Sequence, residues 1–282
     1  MHRCTTLAIE SDGSIARVLL NRPERRNAFD GRMVTELTEA FEELAQESSL
    51  RGIVLAGAGP VFCAGADIQW MQSESPVSES RAKDDADRLT RMFRAIDECP
   101  CPVIGLVHGP ALGGGVGMMA VCDIVVAAED ATFSLSETRL GLIPAVIAPF
   151  LLRKAGESFL RRYCLTGETF SASTAQRVGL VHDVVPPSDL DDRITELIEA
   201  IMRLAPRTTR ESKALFHRML PLSDEDRRAG CAEANAGARC APEATEGLQA
   251  FVEKRLPSWA KPCETKPDQE ALTSLDVTAR RT

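Results

Sequence analysis

The sequence predicts an α/β fold in which short buried strands alternate with helices. Two apolar runs rich in β-branched residues, IARVLL at 15–20 and GIVLA at 52–56, each precede turn-forming residues and are typical of strands. A helical pattern lies between them, and the alternation then continues along the chain. Strands that are separated by helices are typically parallel and buried on both faces of the sheet. No fixed repeat period is present, which argues against a stack of identical repeats.

The first helix is predicted directly after Asp30, whose side chain can cap its N-terminus. Apolar residues follow at helical spacing, namely Met33, Val34, Leu37, Phe41 and Leu44. Residues 71–88 are polar and rich in serine, which predicts a mobile surface loop that could act as a lid. A second helix is predicted behind this loop from Leu89, Met92, Phe93 and Ile96.

Further along the chain, PVIGLVHG at 102–109 predicts a strand, VGMMAVCD at 116–123 a helix, and IVVAAE at 124–129 another strand. After Pro187 only helices are predicted. Ser188 is expected to cap a run with Leu190, Ile194, Leu197, Ile198, Ile201 and Leu204, and Ser223 with Asp226 resembles a capping box. We therefore expect a core over residues 1–187, a helical region over 188–259 and a disordered tail over 260–282.

The composition excludes several classes of function. With 33 basic and 41 acidic side chains the chain has a formal charge of -8, which offers no general attraction to nucleic acid or to anionic membranes. The uncharged window at 103–122 is interrupted by Pro110 and several glycines, so a buried strand, turn and helix explains it better than a membrane span. The nine cysteines are odd in number and form no CxxC pair. We therefore expect neither disulfides nor a metal site, and a cytoplasmic location.

Two glycine-rich turns, in GIVLAGAGPVFCAGADI (52–68) and PVIGLVHGPALGGGVGMMAVCDI (102–124), each connect a predicted strand to a helix. Neither is a nucleotide-binding turn. In the GxGxxG pattern the third glycine would fall on Phe62 or Met118, and no Gly-Lys-Ser/Thr follows. Small residues also leave backbone N–H groups accessible to a ligand oxygen. Two such turns side by side could form an oxyanion hole.

The pair FCAGADI and HGPALGGGVG resembles the enoyl-CoA hydratase/isomerase (crotonase) superfamily. NRPERRNAF at 21–29, ETRLGLIP at 137–144 and EGLQAFVEKRLPSW at 246–259 extend the resemblance over about residues 5–259. It implies a crotonase-like spiral of strand-strand-helix units whose C-terminal helices build a homotrimer or a dimer of trimers. It also implies an acyl-CoA substrate and no cofactor, since coenzyme A arrives as part of the substrate.

Matched motif to motif, the resemblance assigns two backbone donors and one carboxyl group to the chemistry. The donors are the N–H groups of Ala66 and Gly114, which would bind the thioester oxygen of the acyl-CoA. Glu137 matches one of the two glutamates that many hydratases of this superfamily use, whereas Gly117 stands where they carry the other. A lone Glu137 could activate water, or shuttle a proton between carbons as an isomerase would. A third hypothesis is an acyl-CoA-binding protein that has lost its catalytic activity; the presence of Glu137 argues against it.

Finer features resemble the bacterial branch that hydrates 3-methylglutaconyl-CoA and γ-carboxygeranoyl-CoA. These are GADIQWMQ at 65–72, GGGVG at 113–117 and LSETRLGLIPAVIAPFLLR at 135–153, and members of that branch also carry glycine at the position of Gly117. Trp70, Met71 and residues 145–150 could wall an apolar acyl pocket, although core packing explains them equally well. The other residues that the resemblance assigns to substrate or CoA binding are Ala64, Asp67, Ile68, Arg25, Arg26 and Lys254, the last across a subunit boundary.

Three polar residues near these turns have a structural interpretation. Asp67 and Asp123 follow the turns and could brace or cap them instead of reacting. His108, in the HGP turn, is expected to be a hydrogen-bonded structural histidine in preference to a proton shuttle.

Overall fold

The computed structural model describes residues 4–73 and 77–260, and within these ranges the chain forms nine strands and eleven α-helices. The strands are β1 Leu7–Ser11, β2 Ile15–Leu20, β3 Gly52–Gly57, β4 Val103–Val107, β5 Ala111–Leu112, β6 Ile124–Ala128, β7 Thr132–Ser134, β8 Thr169–Ser171 and β9 Asp183–Val185. The helices are α1 Gly31–Gln46, α2 Ile68–Ser73, α3 Glu79–Asp97, α4 Gly114–Val121, α5 Ala148–Ala155, α6 Glu157–Thr166, α7 Ala172–Arg177, α8 Leu190–Met202, α9 Pro206–Met219, α10 Asp224–Arg239 and α11 Pro242–Val252.

The main sheet, in the described part of the chain, has the strand order β1-β2-β3-β4-β6-β9. Strand β1 is antiparallel to β2. The other strands of this sheet, β2, β3, β4, β6 and β9, run parallel to one another. Leu55 at the centre pairs with Val18 on one side and with Gly105 on the other. Strands β3 and β4 are buried along their whole length, as expected for parallel strands that are covered on both faces. The predicted α/β class is confirmed.

A second, smaller sheet positions one of the glycine-rich turns. Its order is β5-β7-β8, with β5 parallel to β7 and β7 antiparallel to β8. Strand β5 leads directly into the N-terminus of α4, and β7 leads into the segment that carries Glu137. The pairing of β5 with β7 therefore brings the GGG turn and Glu137 to the same end of this sheet.

The helix boundaries confirm one prediction and correct another. The Asp30 side chain accepts hydrogen bonds from the N–H groups of Arg32 and Met33 at the start of α1, as predicted. The loop predicted over 71–88 is wrong, because α2 extends to Ser73 and α3 begins at Glu79; residues 74–76 lie outside the described residues. The first turns of α3 are exposed, so their sequence shows no helical spacing of apolar residues. The Ser78 cap and ion pairs such as that of Lys83 with Asp87 (2.8 Å) stabilise these turns instead.

The C-terminal helices α8 to α11 form the predicted helical region. Ser188 does not cap α8: it lies in a 3₁₀ turn, and its hydroxyl donates to Asp189 Oδ1 (2.6 Å). Ser223 caps α10 as predicted. Residues 261–282 of the predicted tail lie outside the described residues, whereas Ala260 is buried. Within the described ranges, no helix combines the length and the apolar character that a membrane crossing requires.

Candidate active site

The two glycine-rich turns lie against each other through their backbones. The N–H of Leu112 donates to the carbonyl oxygen of Cys63 (2.9 Å), and residues 63 and 111 form a parallel bridge. A Cβ atom on Gly65 would lie 3.1 Å from the backbone nitrogen of Gly114, and one on Gly115 would lie 2.2 Å from the Cys63 carbonyl oxygen. Bare backbone is therefore required here because the two turns approach more closely than side chains would permit.

Each turn presents a backbone N–H group that has no partner within the described residues. Phe29 donates to the Gly65 carbonyl oxygen and accepts from the Asp67 N–H, which leaves the N–H of the intervening Ala66 out of the bridge. Gly114 is the first residue of α4. Within residues 4–73 and 77–260, neither the Ala66 N–H nor the Gly114 N–H donates a hydrogen bond. Two such donors at neighbouring turns, one of them at a helix N-terminus, can bind an oxygen that carries negative charge.

Glu137 lies directly beside these turns. It begins a 3₁₀ turn that follows β7, and its Oε1 atom would be 3.0 Å from a Cβ atom on Gly113. Its Oε2 atom is buried and has no hydrogen-bond partner within the described part of the chain. Burial raises the pKa of the Glu137 carboxyl above its ordinary value. This carboxyl group can therefore both accept and return a proton close to an oxygen held by the two donors.

The space beside Gly117 is filled by apolar side chains. A Cβ atom at this position would lie 2.4 Å from Ile147 Cγ2 and 3.2 Å from Phe93 Cε1. Of the apolar run at 145–150, Ile147 and Phe150 are buried whereas Ala145 is exposed. Trp70 packs its indole against Gly31, with Nε1 3.3 Å from the position of a Cβ atom there.

Arg22 is a site residue that the sequence analysis missed. Its guanidinium donates to Asp67 Oδ2 (3.2 Å), pairs with Asp30 Oδ2 (3.2 Å) and donates to the Ala28 carbonyl oxygen. The other oxygen of Asp67 accepts from the N–H of Gln69 (2.9 Å) at the start of α2. Both oxygens of Asp67 therefore have partners within the protein, which favours the bracing interpretation of this residue. The sequence does not distinguish Arg22 from Arg25 and Arg26, the other arginines of NRPERRNAF. Only the contacts of Arg22 in the folded chain identify its role.

The remaining residues that the sequence analysis assigned to substrate or CoA binding lie in two places. Most lie near the Ala66 turn or on α2, whereas Lys254 lies beyond the end of α11. Arg25 Nη1 donates to Gln69 Oε1 (2.7 Å), and the N–H of Ala64 donates to the Arg26 carbonyl oxygen (3.0 Å), so the NRPERRNAF segment lies along the Ala66 turn. Ile68 and Met71 are exposed on α2. Lys254 is exposed beyond the end of α11, and no hydrogen bond or ion pair among the described residues joins it to these groups.

Asn27 is a second residue that the sequence analysis missed. It is fully buried, and its side-chain Nδ2 donates to the carbonyl oxygens of Ala58 (2.8 Å), Val61 (2.8 Å) and Phe62 (3.2 Å). Its Oδ1 accepts from the Arg22 N–H (3.0 Å). Asn27 thus ties the NRPERRNAF segment to the turn that leads to Ala66. No local pattern in the sequence distinguishes it from a solvated asparagine.

His108 holds the neighbouring turn. Its Nε2 lies 2.7 Å from the Gly59 carbonyl oxygen, which requires a proton on that nitrogen. Burial lowers the pKa of the imidazole, so a neutral, hydrogen-bonded ring is favoured. This arrangement agrees with the structural role expected from the sequence.

We expect Asn27→Ala to lower the free energy of unfolding by about 3 kcal/mol or more, because three carbonyl oxygens and one N–H lose their buried partner. The positive φ of 54° at this residue adds to the cost, since asparagine tolerates it better than alanine. Urea denaturation measures the change. Asn235→Ala on the exposed face of α10 is the control and should change the value by less than about 0.5 kcal/mol. A loss below about 1 kcal/mol for Asn27→Ala would contradict the assigned role.

Comparisons with known proteins identify related sequences and structures. The sequence model of the enoyl-CoA hydratase/isomerase family matches residues 10–262. The enoyl-CoA hydratase AKT6-1 of Alternaria alternata is 36% identical over 200 residues, which cover 71% of this chain and 65% of that protein.

Two solved structures share the fold over 91% of this chain. The crystal structure of an enoyl-CoA hydratase from Shewanella pealeana superposes with a TM-score of 0.87 at 35% identity, covering 91% of this chain and 97% of that one. Pseudomonas aeruginosa AtuE superposes with a TM-score of 0.88 at 36% identity, covering 91% of this chain and 100% of that one. The chain thus has the crotonase α/β fold with its C-terminal helical region, and it belongs to the enoyl-CoA hydratase/isomerase family.

Proposed function

We propose that this chain is an enoyl-CoA hydratase, which adds water across the C2=C3 bond of an acyl-CoA thioester. The observation that carries the proposal is the juxtaposition of two backbone donors, on Ala66 and Gly114, with the buried carboxyl group of Glu137; among the described residues, neither donor N–H nor Glu137 Oε2 has a hydrogen-bond partner. Negative charge grows on the thioester oxygen when water attacks C3, and fixed donors aimed at that oxygen stabilise it.

The proton and electron movements need only one carboxylate. As Glu137 accepts a proton from water, the water oxygen forms a bond to C3, and the electron pair of the C2=C3 bond moves to give an enolate. The Ala66 and Gly114 N–H groups hold the enolate oxygen. The enolate then takes the proton from Glu137 at C2, which restores the thioester carbonyl and leaves a 3-hydroxyacyl-CoA.

An enoyl-CoA isomerase is the second candidate, and the same lone carboxyl group favours it. Asp67 has partners on both of its oxygens, so it does not supply a second proton-transfer group at the donor turns. A single Glu137 could remove a proton at C2 of a 3-enoyl-CoA and return it at C4. Hydration of a 2-enoyl-CoA and migration of a double bond have different products, so product analysis separates the two candidates.

For the substrate we propose 3-methylglutaconyl-CoA or a related branched, carboxylated enoyl-CoA. The support is the resemblance of residues 65–72, 113–117 and 135–153 to the branch that hydrates such thioesters, together with glycine at position 117. The test compares the purified protein on 3-methylglutaconyl-CoA and on straight-chain 2-enoyl-CoAs by the loss of absorbance of the conjugated thioester. We expect the larger kcat/KM for the carboxylated substrate; a preference for straight chains would contradict this assignment.

We further propose that the enzyme works without a cofactor and in the cytoplasm. The addition of water transfers no electrons to or from a partner, and coenzyme A enters with the substrate. The cysteines of the described residues are free thiols, which supports a reducing compartment. The net charge of -8 supports the absence of nucleic-acid and membrane partners.

We propose that the C-terminal helices assemble the chain into a homotrimer or a dimer of trimers, in which Lys254 reaches the CoA phosphates of a neighbouring subunit. The support is a set of exposed apolar side chains on α9, on α11 and beyond, namely Phe216, Leu220, Leu248, Phe251, Val252 and Leu256. Such a concentration of exposed apolar side chains is typical of an interface.

We expect Phe251→Asp to convert the oligomer to a monomer, because a carboxylate would be buried without a partner in the proposed interface. Phe251 is 84% exposed in the single chain, so the substitution has little to disturb within it. Sedimentation velocity measures the change. The control is Glu233→Gln on α10, which should leave the oligomer intact. A monomeric wild-type protein would contradict the proposed assembly.

We expect kcat/KM for hydration to fall as the pH decreases through the pKa of Glu137, because the protonated carboxyl group cannot accept a proton from water. Since burial raises that pKa, the decrease should begin at a higher pH than for an ordinary glutamate. A pH profile of the initial rate measures it. Glu129→Gln, at an exposed position, should keep the same profile; an acidic limb that remains in Glu137→Gln would contradict the assignment.

A further inference from the structure

Gly117, like Gly114, is a glycine of the GGGVG stretch whose Cβ position is occupied by a side chain from elsewhere in the fold. It lies in α4, one turn beyond Gly113 and Gly114, and its φ is not positive. The backbone conformation therefore does not require glycine here. What requires it is Ile147, whose Cγ2 atom would be 2.4 Å and whose Cβ atom would be 3.0 Å from a Cβ atom on Gly117.

The residues around this contact form a closed apolar wall. Ile147 is 4% exposed and Phe93 is 1% exposed. The Phe93 ring packs edge-on against Phe29 (6.3 Å between centroids) and is tilted against Phe150 (6.0 Å). Phe29 in turn packs on Gly114, where a Cβ atom would lie 2.4 Å from its Cζ atom. The wall therefore extends from the donor residue Gly114 to Gly117 along one side of α4.

We propose that Ile147 is a specificity-determining residue, which closes the space beside Gly117 and so confines proton transfer to Glu137. This inference rests on the proposed hydration, and it explains why, among the described residues, an apolar side chain and not a carboxyl group lies beside Gly117. A carboxylate at position 117 would have to displace Ile147 and would then lie against Phe93. In such an apolar setting a carboxylate without partners loses its hydration and takes up a proton instead.

The first arm of the test measures the packing itself, without any substrate. Gly117→Ala is made in the natural chain, with Ile147→Val and with Ile147→Ala. Valine retains both γ carbons on Cβ, including the Cγ2 methyl group, so it is the matched control, whereas alanine removes Cγ2, the atom that would lie closest. We expect Gly117→Ala to lower the ratio of folded to unfolded protein by about tenfold or more with Ile147 or Ile147→Val, and by about twofold or less with Ile147→Ala.

The second arm measures the chemistry. Gly117→Glu and Gly117→Gln are each combined with Ile147→Ala, and the pH profile of kcat is recorded. We expect the variant with the new glutamate to gain a second ionisation that its glutamine counterpart lacks.

Two results would overturn the inference: an equal effect of Gly117→Ala in all three backgrounds, or an unchanged pH profile in folded Gly117→Glu with Ile147→Ala. If the natural chain hydrates no enoyl-CoA, the proposed function is overturned instead. The stability measurements then still test the packing of Ile147 against Gly117.

Discussion

Glu137→Gln is expected to lower the turnover of a 2-enoyl-CoA by about 10²- to 10⁴-fold, the usual contribution of a positioned acid or base. Glutamine has the same shape but cannot accept a proton from water. The loss should be concentrated in kcat, because the thioester oxygen would still be held by Ala66 and Gly114. The large expected effect follows because, in the part of the chain that the structure describes, Ile147 occupies the space beside Gly117 in place of a second carboxyl group.

Initial rates and equilibrium binding of the product 3-hydroxyacyl-CoA measure this prediction together. Product affinity should stay within a few-fold of the natural chain, which separates a lost proton transfer from a damaged fold. Glu129→Gln is the matched control, because it makes the same exchange at an exposed position. Unchanged turnover in Glu137→Gln would remove this residue from the mechanism.

Gly114→Pro is expected to lower kcat by about 10²- to 10³-fold, since it deletes one of the two N–H donors proposed for the developing enolate oxygen. Proline is tolerated at the first position of a helix, which is the position of Gly114 in α4. Any side chain here, however, meets the Phe29 ring, because a Cβ atom would lie 2.4 Å from Phe29 Cζ.

The comparison is therefore made with Phe29→Leu, which removes the atoms of the ring that would clash. Gly114→Ala and Gly114→Pro are each placed in that background, so that both add a Cβ atom and only proline lacks the N–H group. The ratio of their kcat values isolates the hydrogen bond. Equal kcat values for the two variants would show that the Gly114 N–H does not act on the thioester oxygen.

The elements that hold the site were predictable where their signals are local. The strands β2 and β3 follow from short β-branched runs, and the cap at Asp30 from its position before a helical stripe. The two glycine-rich turns were also predictable, since glycine is retained where backbones must approach each other. The start of α3 was missed because its exposed first turns have no apolar period.

The contacts around the donors could not be predicted, since they join distant segments. Arg22 and Asp67 are 45 positions apart, and Asn27 reaches the turn at Ala58 across 31 positions. The contact by which Ile147 fills the space beside Gly117 depends on how α4 packs against the start of α5. Composition and spacing carry none of this information, because the same residues would occur in a solvated loop or an ordinary core.

The most direct test of the proposed activity is the fate of water oxygen. The protein is incubated with 3-methylglutaconyl-CoA or a straight-chain 2-enoyl-CoA in water labelled with heavy oxygen, and the products are analysed by mass spectrometry with Glu137→Gln in parallel. We expect a 3-hydroxyacyl-CoA that carries one labelled oxygen, formed by the natural chain and strongly reduced in the variant. A product with a moved double bond and no label, or thioesters that bind and remain unchanged, would contradict hydration by Glu137 and the two backbone donors.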